Sequence, residues 1–125
     1  MSTNTLVWTD IPVTDLPRAV TFYTKVLGQE VHLHDLGDVK IGVLPHPDQT
    51  SVSGCLVPAM HGNAPSRTGP LIYLSVEGRL DDAAQVAAAN GGEVLQPKHG
   101  IGPYGFRVII ADSEGNRIAL HSQTA

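Results

Sequence analysis

A second cysteine is missing from this chain. Cys55 stands alone, so no intrachain disulfide can form, which fits a reducing compartment. Charge is sparse, at 16% of residues, and its balance is slightly acidic, −4 at pH 7. No basic stripe is present. A phosphate backbone needs one, so nucleic acid is not an expected partner. No apolar run approaches the length of a membrane span, so no membrane partner is expected. The opening stretch "MSTNTLVWTD" has no basic segment leading into an apolar one, and no signal peptide is expected there. The hydrophobic share, 42% of 125 residues, belongs to a folded globular chain of single-domain size. These features describe a soluble, cytoplasmic protein.

What is present is periodicity. "LVWTDIPV", Leu6 to Val13, alternates. Val7, Ile11 and Val13 share one side, with Trp8, Asp10 and Pro12 on the other, the pattern of a half-buried strand. Thr14 or Asp15 can cap a helix whose first turn holds Pro17. Leu16, Ala19, Val20, Tyr23, Val26 and Leu27 then recur at helical spacing, and Gly28 stands where a left-handed C-cap belongs. "EVHLHDL", "DVKIGVL" and "SGCLVP" read as three further strands.

A shift of 63 residues superposes the second half on the first: Val13 falls on Val76, Gly28 on Gly91, Glu30 on Glu93 and Val31 on Val94. The second half runs "LIYLSV" as a strand, "RLDDAAQVAAAN" as a helix, then "EVLQPK", "YGFRVIIA" and "RIALHS" as strands. Such repetition sets the fold class. The expected architecture is α+β, with two repeated βαβββ modules forming a U-shaped, cup-like mixed sheet and helices outside. Module 1 covers about residues 5–58 and module 2 about 70–123. Residues 59–69, rich in Gly, Pro, Ser and Asn, link them within a single domain. The helices cover Val7, Ile11 and Val13 in one module and Ile72, Leu74 and Val76 in the other. The opposite faces carry Trp8, Asp10, Leu71, Tyr73, Ser75, Ala119 and His121, which would then wall a shared cup.

The stretches "DIPVTDLPRAVTFYTKVLG", "GPLIYLSVEG" and "GPYGFRVIIADSEGNRIALHS" resemble the glyoxalase/bleomycin-resistance/dihydroxybiphenyl-dioxygenase superfamily, also called the vicinal oxygen chelate fold. The closing stretch looks like its small, single-domain, glyoxalase-related subgroup. The resemblance implies paired βαβββ modules around a cavity, and frequent homodimers. In metal-using members it implies one ligand from the first and one from the last strand of each module. Those positions fall here on Trp8, Leu71, Ala119 and, near the end of module 1, Cys55. Tryptophan, leucine and alanine offer no lone pair suited to a divalent cation, and one cysteine does not replace four ligands. No metal and no cofactor are therefore expected, and the Lewis-acid chemistry of glyoxalase or extradiol cleavage is not expected either.

Other polar residues carry two readings each. His121 shares the cup face with Ala119 and is either a base or ligand hydrogen-bonder, or a half-exposed strand-end histidine. Asp10 either orients His121 or binds a polar ligand group, or is a solvated rim carboxylate. His32 and His34 alternate on one face, a metal clamp only if further ligands join them and otherwise a polar sheet surface. Arg107 interrupts the apolar "FRVII" and either meets an anionic ligand in the cup or is solvated at the rim. Trp8 and Tyr73 either wall the cavity for a flat ligand or fill it. Cys55 is a ligand contact or a small buried residue. His46, His61 and His99 fall in loops, and "PKHGIGPYG" could form a lid. The leading functional reading is a small-molecule-binding protein, with ligand contacts from Trp8, Asp10, His34, Cys55, Tyr73, Arg107 and His121. The alternative is a glyoxalase-like lyase or isomerase, working through a shifted metal site or His121/Asp10 acid–base chemistry. A third is a subunit with a filled cup whose main surface is its dimer interface.

Overall fold

Each half of the chain builds a helix against one face of a small mixed sheet, as the repeat predicts. The computed structural model describes residues 4–48, 51–60 and 62–125; His61 lies outside them. Module 1 contains β1 (Trp8–Val13), α1 (Leu16–Leu27), β2 (His32–Asp35), β3 (Lys40–Val43) and β4 (Ser53–Pro58). Module 2 contains β5 (Ile72–Ser75), α2 (Leu80–Ala89), β6 (Glu93–Gly100), β7 (Phe106–Ala111) and β8 (Arg117–Ser122). The sheet orders are β1-β4-β3-β2 and β5-β8-β7-β6. In each, the first strand runs parallel to the last and the other pairs are antiparallel. The two sheets remain separate, so the cup is open rather than closed into a barrel. No helix among the described residues is long and apolar enough to cross a membrane.

Local signals place α1 closely. Asp15 is its N-cap, accepting from the Arg18 backbone N–H at 3.0 Å. Gly28 ends it at φ +70°, where its backbone N–H donates to the Thr24 carbonyl, and a side chain at that φ would be strained. Asp81 and Asp82 in the first turn of α2 complement the helix dipole. The core is one cluster drawing on both modules, including Ile11, Tyr23 and Leu56 from the first and Val76, Ile110 and Leu120 from the second.

Three departures from expectation, and one uncovered apolar residue, have physical reasons. Val7 was assigned to the covered face, yet it is 73% exposed. Pairing with β4 begins only at Trp8↔Ser53, and Val7 precedes the region that α1 covers. Leu33, on the face opposite His32 and His34, is 58% exposed. The row Ile11–Leu56–Gly42–Leu33 crosses the sheet. The helix meets it at Gly42, where Val20 lies 3.0 Å from the position of a Cβ, and the outermost strand stays uncovered. Phe22, absent from the expected helical stripe, is buried, and such burial contributes about 2 kcal/mol. Its ring meets module 2 at Gly92, where any Cβ would sit 2.9 Å from Phe22 Cε1 and 2.7 Å from the Ala111 carbonyl oxygen. Finally, β6 runs on to Gly100 through two register shifts. His99 therefore lies on a strand rather than in a loop, and only residues 101–105 connect β6 to β7, with a 3-10 turn at Gly102–Tyr104.

The modules are joined by the β7–β8 turn. Asn116 Nδ2 donates to the Pro12 carbonyl at 2.7 Å. Pro12, on the side of the strand that carries Trp8 and Asp10, is buried at this junction. Asp112 accepts from the Tyr23 hydroxyl, and Arg79 donates to the Val26 carbonyl at 3.1 Å.

Candidate functional site

β1 and β5 lie at the ends of their sheets, each with an edge that no other strand among the described residues pairs. A cavity of about 890 Å3 is lined by residues of both. Because β5 borders it along its length, residues from both of that strand's faces reach it: Ile72 and Leu74 with Tyr73 and Ser75. Leu71 and Trp8 add to an apolar wall, and Asp10, Glu77 and Arg79 supply charge. Glu77 and Arg79 follow β5 in the turn before α2 and carry no periodic signal, so they were missed in the sequence. Trp8 and Tyr73 are 42% and 46% exposed, so both wall the cleft and neither plugs it.

The remaining candidates separate into distinct places. Asp10 lines the cleft, and the Cys55 thiol donates to it at 3.3 Å. The two sit side by side in register. Cys55 is buried behind Asp10 and does not line the cavity. Burial pushes its thiol up to about 11 against an opposing contact from Trp8, with the Asp10 carboxylate acting in the same direction as burial. At neutral pH it is a thiol, not a thiolate, and so is neither a ready metal ligand nor a nucleophile. His34 lines a separate depression of about 270 Å3 with His32 and His46. The His46 ring in turn meets Trp8 edge-on, with centroids 6.4 Å apart.

On the second sheet a row runs in register from His99 through Arg107 and His121 to Ser75. Arg107 Nε donates to His99 Nε2 at 2.8 Å, and its terminal nitrogen donates to the Tyr73 hydroxyl. His121 Nε2 lies 2.6 Å from the Tyr104 carbonyl oxygen, so this nitrogen carries the proton and the ring is oriented by the 3-10 turn. The segment expected as a lid is thus tied down at Tyr104, and none of residues 97–105 lines the cleft. The expected pairing of Asp10 with His121 is not formed. They belong to different sheets, and acid–base chemistry would rest on His121 without that carboxylate.

The ligand positions implied by the metal-using fold do not fit a cation. Trp8 and Leu71 face the cleft with indole and hydrocarbon, Cys55 holds its proton, and Ala119 is a fully buried methyl group rather than part of the wall. Among the described residues, no group of three or more His, Cys, Asp or Glu is placed to hold a metal ion.

Two βαβββ modules, repeated in tandem and facing across an open cleft from their first strands, define the class of cup-shaped two-module α+β proteins. Residues 5–120 match the family model described as "Glyoxalase/Bleomycin resistance protein/Dioxygenase superfamily", and the chain belongs to that superfamily. No curated protein matches the chain. It is similar in fold to a glyoxalase/bleomycin resistance protein from Albidiferax ferrireducens T118, with a TM-score of 0.77, 16% identity, and coverage of 95% of this chain and 98% of that one. A glyoxalase-related enzyme from Fulvimarina pelagi gives a TM-score of 0.71 at 13% identity, over 95% and 88% of the two chains. A genomically encoded fosfomycin resistance protein from Listeria monocytogenes gives 0.65 at 15% identity, over 98% and 93%. At these identities the likeness establishes the fold; activity has to be argued from the site.

Proposed function

We propose that this protein binds a small, flat organic molecule in the cleft between β1 and β5, without the divalent metal that catalytic relatives use there. The observation that carries this reading is the cleft itself. Its volume, about 890 Å3, lies within the usual range for small-molecule sites. It is apolar along most of its wall, and an aromatic side chain enters it from each module, Trp8 from one and Tyr73 from the other. Ring faces of this kind hold a planar ligand by stacking and burial. Two of the structural relatives carry resistance in their names, and holding a compound without altering it requires no more than such a cleft. The same reading takes the protein to be a cytoplasmic homodimer. The unpaired β1 and β5 edges and the exposed Leu6, Val7 and Met60 supply apolar surface for pairing, and a monomeric mass in sedimentation would count against it.

Trp8 is the sole tryptophan, so its fluorescence reports on the cleft directly. Titrating a panel of aromatic metabolites and antibiotics should identify compounds that quench Trp8 and stabilise the fold, by about 2.7 kcal/mol at a hundred times Kd. Tyr73→Ala should weaken such a compound about tenfold. A panel that neither quenches nor shifts the melting transition would remove the basis for this reading.

A further inference from the structure

Tyr73 belongs to two environments at once. Its ring lines the cleft, and its hydroxyl accepts from Arg107. The guanidinium carbon lies 5.8 Å from the centroid of the Tyr73 ring, so a positive charge stands immediately beside the cleft wall. Arg18 and Arg67 are ion-paired with Glu114 and Glu93, whereas Arg107 makes no ion pair among the described residues; nor does Arg79, which lines the cleft and donates to the Val26 carbonyl. The neighbours of Arg107 are acceptors of no net charge. His99 Nδ1 lies 2.8 Å from the Pro97 carbonyl oxygen, which can only accept, so that nitrogen carries the ring proton. His99 Nε2 then offers its lone pair to Arg107 Nε.

Two of the five guanidinium N–H donors are engaged in this way. The others have no acceptor among the described residues, although the residue is only partly exposed. A guanidinium oriented by neutral partners, with its charge unmatched and donors left over, suits an incoming anion. Carboxylate matches its planar fork. Arg107 is not itself part of the cleft lining; it adjoins the cleft through the Tyr73 hydroxyl, and its in-register row ends at Ser75, which lines the cleft.

We infer that the ligand of the cleft is a carboxylate-bearing aromatic compound, its ring between Trp8 and Tyr73 and its carboxylate on Arg107. This rests on the small-molecule reading above and specifies its ligand class. His99 is a positioning residue here, aligning Arg107 through Nε.

The test is a matched pair of probes, 2-naphthoate and the uncharged 2-naphthamide, titrated calorimetrically at pH 7.5 into the intact protein and into Arg107→Gln. The wild-type protein should bind the acid at least about tenfold more tightly than the amide. Arg107→Gln should abolish the preference for the acid, bringing the acid-to-amide affinity ratio to about one while weakening the acid far more than the amide. If the amide binds and the acid binds no better, the cleft reading stands and the carboxylate assignment falls. If Arg107→Gln weakens acid and amide equally, the assignment also falls. If neither probe binds the wild-type protein, both readings fall. Should Arg107→Gln not fold, the acid-to-amide ratio of the wild-type protein decides by itself.

Discussion

Asp112→Ala is expected to cost about 3–5 kcal/mol of stability, read as a lowered urea midpoint at unchanged slope. Asp112 is 3% exposed. One carboxylate oxygen accepts from the backbone N–H of Glu114 and of Asn116, each at 2.8 Å. The other accepts from Asn116 Nδ2 at 3.1 Å and from the Tyr23 hydroxyl. Burial, and then the Asp112 charge, push Tyr23 well above its ordinary value, so its hydroxyl stays a donor across the accessible pH range. Removing the carboxylate leaves these donors without their acceptor in the interior. It also loosens Asn116, whose amide holds Pro12 across the module boundary. Tyr23→Phe removes one donor and keeps the ring, and should cost only about 1 kcal/mol. A loss for Asp112→Ala no larger than that of Tyr23→Phe would show that the turn does not clamp the modules.

The second large effect is a pH dependence centred on Glu114, whose side chain is fully covered. Burial alone would raise its carboxyl. Hydrogen bonds from Arg18, Ser113, the Asp15 backbone N–H and Thr14 outweigh burial and bring it down to about 2 from an ordinary 4.5. A folded-state value below the unfolded one means stability that is fully present above pH 4.5 and lost as pH falls toward 2. Because its partner Arg18 is half exposed, solvent screening reduces the contribution to about 2 kcal/mol. Glu114→Gln should therefore lose about 2 kcal/mol at pH 7 and have a flatter profile between pH 5 and 2 than the parent. Parallel profiles for the two proteins would place the acid sensitivity elsewhere. The contact also matters to the fold, since Glu114 accepts from the first residues before α1, at Thr14 and Asp15, and so fastens module 2 to the start of the module 1 helix.

The elements of both modules were legible because their signals are local. Asp15, Pro17 and Gly28 bracket α1 as their backbone preferences require, and the 63-residue repeat carries the strand order of one module over to the other. The cleft was legible in part. Strand alternation put Trp8, Asp10 and Tyr73 on the inner faces, and these three line one cavity. The same alternation gave Ala119 an inner face, and the resemblance put Cys55 near a ligand position, and neither was sufficient. Both are small and sit under their neighbours in the sheet, so facing inward does not bring them to the surface. His99 escaped notice because two register shifts in β6 break the period of two that would have aligned it with Arg107.

Backbone preference and hydropathy act over a few residues, and they were enough to specify a twice-repeated βαβββ chain; the positions where metal-using members place their ligands came from the resemblance alone. Contacts between residues about a hundred positions apart, such as Thr14 with Glu114 and Pro12 with Asn116, settled the rest. They determine which faces are covered, that Asp10 and His121 stand apart, and that Arg107 meets Tyr73 beside an open cleft. No local pattern encodes those meetings, because each depends on where a distant segment comes to rest once the core has closed.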